Sequence, residues 1–397
     1  MLRSYANQGG KHLLLEITKS NAALHSAALL ALSSIGDAFL YVALPAYATE
    51  LKVPVVWVGV LLSINRFVRL FSNHAFVSLF QRFGFRRIGI AAAVLAALTT
   101  LTYGLASALV VWITARIVWG FCFSALRMST IAYSLSGANP GLSLGIGKGF
   151  QELGAIFAIL LGPLLTASIN PQATFLIFAM ISATGIAFAS SLPEIKNFNV
   201  LMRETCTEAD AISAKSLLPT PINTITFLSA FVVQGIIIVS MVKLLAPGFP
   251  GNGSIVVIAG FFLAYRRICS LVLAPVGGMY ADKWGINQVH LVSILMTAIG
   301  LLLLVNGYVG LGLVTTFTFN SLSAALSPGH SAKGNRSILQ AVASNNSWSD
   351  MGAATGILAA GLITTALDFS LVFFSTAAVL AGISILQIGK VQLGKVR

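Results

Sequence analysis

About twelve stretches of this chain are each long and apolar enough to cross a lipid bilayer, which no soluble fold can accommodate. They run roughly over 22–48, 54–80, 88–107, 109–133, 143–168, 172–192, 222–246, 254–280, 288–306, 308–328, 337–366 and 369–388. A spanning helix needs about 20 apolar residues at a 1.5 Å rise. Of the 397 residues, 57% are hydrophobic and 9% charged, where a soluble domain carries about 25% charged residues. Gly and Pro lie inside continuous apolar runs, which suits helices; a transmembrane barrel would show short alternating segments. The expected class is an all-α integral membrane protein.

The net charge of +13 would suggest nucleic acid in a soluble protein, but its placement points elsewhere. Numbering the turns between stretches, the even ones hold Arg82, Arg86 and Arg87, then Lys196, Arg203 and Lys215, then Lys283, then Lys333 and Arg336. Both ends are basic too, with Arg3, Lys11 and Lys19 at one and Lys390, Lys395 and Arg397 at the other; Lys52 and Lys243 are the main exceptions in odd turns. The positive-inside rule then puts both termini and the central loop in the cytoplasm of a bacterial-type inner membrane. No nucleic-acid partner is expected.

Catalytic and cofactor signals are missing. Cys122, Cys206 and Cys269 lack metal-ligand spacing and read as free thiols. Gly145-Ile146-Gly147-Lys148-Gly149 is glycine-rich but is not a phosphate-binding loop. No enzyme activity, cofactor or metal is expected, and no energy source in a bound nucleotide. Residues 1–20 are polar and lack a small-residue cleavage site, which reads as a cytoplasmic leader rather than a signal peptide.

The chain repeats itself. Asn65-Arg66-Phe67 leads to Gln81-Arg82-Phe83-Gly84, and Arg266-Arg267-Ile268 leads to Asp282-Lys283-Trp284-Gly285 in the same register. Gln151-Glu152-Leu153-Gly154 likewise aligns with Ser349-Asp350-Met351-Gly352, each followed by small residues every fourth position. Small residues at that spacing let helices approach closely in lipid, and internal symmetry of this kind marks transporters built from two halves. The expected organisation is a cytoplasmic segment 1–21, a six-helix bundle 22–192, a cytoplasmic linker 193–221, a second bundle 222–388 and a tail 389–397. Within the spans lie Asp37, Glu152, Asp350, Arg66, Arg116, Arg266 and Arg267. Ionisable groups there are costly and are functional candidates by default.

Gly278-Met279-Tyr280-Ala281-Asp282-Lys283-Trp284-Gly285 resembles the Gly-x-Leu-Ala-Asp-Arg-x-Gly signature of the major facilitator superfamily. The first-half copy departs from it, with Val77 for the glycine and Gln81 for the acid, which moves the implied charge-based gating to Asp282. Arg116-Ile117-Val118-Trp119-Gly120 is similar to the family's proton-transfer signature. Gly149, Ala158 and Gly162-Pro163 resemble its antiporter signature, with Thr166-Ala167 where a glycine pair is usual. The resemblance implies two pseudo-symmetric six-helix bundles, with the first span beside the second in a cavity wall.

On that arrangement Asp37 is expected to pair with Arg66, and the pair to open when a proton or solute arrives. Arg69 shares a helical face with Arg66. Glu152 and Asp350 are expected where the halves meet, switching between protonated and ionised forms as helices move; pairing of either with Arg116 stays open. Arg267 is preferred to Arg266 for the pathway by its match to Arg66. Gln234, Asn320, Ser321 and Ser323 fall on the seventh and tenth spans, which line the cavity in the family. Arg127 and Lys148 read as interface residues, and Asp368 as a helix end cap. His25 and His74 read as structural, and His290 and His330 as minor groups near helix ends.

The expected function is proton-coupled export of a small organic solute by alternating access, by a monomer in the bilayer. An excess of arginines over acids suggests an anionic solute, siderophore-like or drug-like. The alternatives are a proton-coupled uptake permease for a small metabolite and a non-transporting sensor.

Overall fold

The computed structural model describes residues 21–194, 219–246, 252–333, 337–366 and 369–396. Outside them lie the expected N-terminal leader, most of the linker with Lys196, Arg203, Lys215 and Cys206, and also Arg336, Asp368 and Arg397. Among the described residues the first six long helices are α1 Asn21–Tyr47, α2 Val58–Phe83, α3 Phe85–Leu105, α4 Leu109–Leu135, α5 Pro140–Ser168 and α6 Pro171–Ser191. A second six follow: α7 Pro221–Leu245, α8 Asn252–Trp284, α9 Ile286–Val305, α10 Val309–Ala332, α11 Ile338–Ala366 and α12 Phe369–Val396. The backbone of α12 thus stays helical across most of the expected tail. Ten of these helices are apolar and long enough to cross a membrane; α2 and α11 are not, among the described residues. Those two carry Asn65, Arg66, Arg69 and Asn73, and Asn345, Asn346 and Asp350, so the polar content sits where the repeat predicts.

The chain divides into two compact units, 1–204 and 205–397. In the first, α3 packs on α6 and α4, α2 on α4, and α5 on α1 and α4. In the second, α9 packs on α12 and α10, α8 on α10, and α11 on α7 and α10. Adding six to each helix number converts one set of pairs into the other, so the repeat is one of packing as well as sequence. Each unit has its own core. Phe39, Tyr103, Trp112, Phe175 and Phe178 fill the first; Ile236, Leu301, Phe317 and Phe373 fill the second.

Two features fix the register. Gly84 separates α2 from α3 at φ 80°, and Gly285 separates α8 from α9 at φ 96°. An L side chain is strained there, so glycine alone makes so sharp a turn cheaply. Next, a Cβ on Gly154 would come within 2.5 Å of the Ala31 carbonyl oxygen of α1, and one on Gly352 within 2.3 Å of that of Phe227 in α7. Backbones touch at both places.

Candidate functional site

Arg116 is fully buried in α4. Its Nη1 donates to Asp37 Oδ1 of α1 in a close ion pair. Nε donates to the Leu61 carbonyl of α2 at 2.7 Å, and Nη1 also lies 3.5 Å from the Tyr103 hydroxyl of α3. The guanidinium carbon sits 5.9 Å from the centre of the Tyr41 ring, whose hydroxyl donates to the Leu62 carbonyl at 3.1 Å. Tyr103 stacks on Trp112 at 5.2 Å. Four helices therefore converge on one guanidinium. Its Nη2 is buried without a hydrogen-bond partner among the described residues.

This overturns the expected Asp37–Arg66 pair. Arg66 is half-buried on α2 and makes no ion pair among the described residues. The carboxylate of Asp37, 17% exposed, turns to α4. Helix direction decides this: α2 offers the site its Leu61 carbonyl, one to two turns before Arg66, and the charge comes from α4. Sequence reasoning passed over Tyr41, Trp112 and Tyr103. Two of these carried a signal, since Tyr41 follows Asp37 by four residues and Trp112 precedes Arg116 by four, placing each pair on one helix face.

Glu152, 6% exposed, sits on α5, and Lys148 one turn earlier donates to its Oε1 at 2.8 Å. Lys148 is thus an ion-pair partner and not merely a snorkelling residue, while Arg116 pairs with Asp37. Asp350 is 6% exposed on α11. Arg69 is buried with its guanidinium 4.7 Å from the Phe123 ring centre, a cation–π distance. Arg266 and Arg267 are both half-buried on α8, and Asp282 is exposed near its end; burial does not favour Arg267 over its neighbour.

The second unit also holds a cluster of uncharged polar groups. The Thr226 and Ser327 hydroxyls lie 2.7 Å apart and converge on Asn345 Oδ1 at 2.8 and 2.9 Å, joining α7, α10 and α11. Asn320 donates to Ser229 at 2.6 Å, and Ser321 lies 3.0 Å from Ser270; both are tied up within the unit. Gln234 is half-buried in a π-helical segment, Ala230–Ile237, inside α7. Such wide turns inside α-helices are frequent at functional sites. His25 bonds Ser191 at 2.9 Å, in keeping with a structural role. His290 and His330 form a buried bonded pair instead of lying idle at helix ends. Cys122 and Cys269 are free and buried. No group of three or more metal-ligating residues occurs among the described residues.

A family model described as Major Facilitator Superfamily matches residues 27–265. No curated protein matches the chain. Among solved structures, the E. coli fucose:proton symporter FucP is similar at 14% identity and TM-score 0.69, over 92% of this chain and 97% of that one. The proton:xylose symporter XylE is similar at 12% identity and TM-score 0.70, over 94% and 95%. A bacterial homologue of the iron transporter ferroportin, in an outward-facing state, is similar at 14% identity and TM-score 0.66, over 93% and 98%.

Proposed function

Because this chain belongs to the Major Facilitator Superfamily and is a multi-pass secondary transporter, we propose that it moves protons in exchange for a small organic solute, exporting the solute by alternating access. The ion pair of Arg116 with Asp37 carries the proposal. A guanidinium away from water is tolerable while a carboxylate neutralises it. A proton on Asp37 removes that charge and leaves Arg116 with the Leu61 carbonyl and Tyr103, neither of which is anionic. The helices holding the pair must then shift or admit water. Such a change in packing on proton uptake is what coupling requires. The Lys148–Glu152 pair is a second place where a proton would cancel a buried charge. Export is supported by the antiporter-like face of α5, where Gly154 and Gly162 receive the backbone and ring of Ala31 and Phe39 from α1.

For the solute, Arg116 is already matched by Asp37 and drops out of the cations offered to a carboxylate. Arg66 is the arginine we assign to an anionic group. In vesicles holding the purified protein, an imposed solute gradient should move protons in the opposite direction. Asp37→Asn should abolish that movement while the protein stays folded in detergent, and normal proton movement by this variant would remove Asp37 from the mechanism. Glu152→Gln and Asp350→Asn in the same vesicles test the other two acids. Preference for cationic over anionic solutes would refute the role of Arg66.

A further inference from the structure

His290, in the first turns of α9, and His330, in the last turn of α10, are 1% and 6% exposed. Their Nδ1 atoms lie 2.8 Å apart, with the rings nearly perpendicular and their centres 4.9 Å apart. Neither ring takes part in the Arg116 site.

We propose that this pair is a proton-binding clasp that fastens the open end of the α9–α10 hairpin and releases it in acid. The other end is closed by the turn at Asn306–Tyr308, with Gly307 at φ 84°. Between the ends the helices touch, since a Cβ on Gly300 would fall 2.4 Å from the Thr316 hydroxyl. The two rings tie the helices near the end away from that turn.

The chemistry follows from where one proton can sit. A bond between two Nδ1 atoms needs one of them protonated and the other bare. That holds when both rings are neutral and when one is charged through its Nε2. It fails when both are imidazolium, because two N–H groups then face each other with like charge. The helices packed on α9 are α10, α12 and α8. Lys333, just past the end of α10, acts on His330, and Asp282 and Lys283 lie in the last turn of α8, just before the turn into α9.

Two measurements test this on the whole protein in lipid nanodiscs. With 15N-labelled histidine, magnetic resonance at about pH 7.5 should show one protonated and one bare Nδ1 coupled across the bond, and at about pH 5 two protonated nitrogens with the coupling gone. Thermal unfolding should show the wild type losing about 2–4 °C more between those pH values than His330→Asn, whose amide keeps a donor and an acceptor near the Nδ1 position but does not titrate. If that variant fails to fold, the double variant His290→Leu/His330→Leu serves in its place, with the same expectation. Independent titration of the rings, a coupling that survives at the lower pH, a divalent metal bound in equal amount to the protein, or the same acid loss in the variants would each overturn the clasp.

Discussion

At the residue scale the chain concentrates its cost in Arg116. Among the described residues its ionic partner comes from α1 and its hydrogen-bond contacts also from α2 and α3, so the two substitutions at the pair are not equivalent. Arg116→Ala strips the centre from four helices and leaves Asp37 without its cation, and should lower unfolding stability by about 3–5 kcal/mol. Asp37→Asn keeps an acceptor for the guanidinium at a partly exposed position and should cost about 1–3 kcal/mol. Denaturation of both variants in the same detergent checks the order; equal losses would mean that the charge of Asp37 matters no less than the whole guanidinium. The candidates themselves were legible: a charge inside an apolar run stands out in any sequence. Their pairing was not. Asp37 has arginines at comparable depth on α2 and α4, and only the azimuth of each helix decides which one it meets.

At the element scale, contacts of glycine with a neighbouring backbone set the helix pairs. Gly154→Ala and Gly352→Ala would each drive a methyl into a carbonyl oxygen that the backbone cannot easily move. Each should destabilise by about 1–3 kcal/mol. Gly382→Ala in α12 meets nothing within 4 Å and should stabilise by about 0.4–1 kcal/mol. Parallel thermal scans distinguish these outcomes, and a neutral Gly352→Ala would show that α7 and α11 separate freely. The repeat of Gly84 in Gly285 and of Gly154 in Gly352 was visible in sequence because a backbone constraint leaves a fixed residue type behind. The π-helical segment of α7 and the bonded histidines left no such trace: a wider turn needs no particular residue, and residues 290 and 330 belong to different helices.

At the scale of the whole molecule, the twelve long helices among the described residues, in two sets of six, return the chain to the side on which it began, if every one crosses. Tags at the two ends should then meet a protease from the same face of sealed vesicles, expected from the basic turns to be the cytoplasmic one. Cleavage from opposite faces would mean that α2 or α11, the more polar pair, fails to span. The sequence alone determined the solvent, the element type, the number of long helices and the twofold repetition. These are sums over many residues, and a lipid environment admits few folds that satisfy every backbone group. Tertiary structure decided which buried charges neutralise one another between helices, placing Arg116 with Asp37, and brought two distant histidines into one bond. Such pairings depend on the rotation of each helix about its axis, and that rotation is set by side-chain packing against several neighbours at once, which no local stretch of chain encodes.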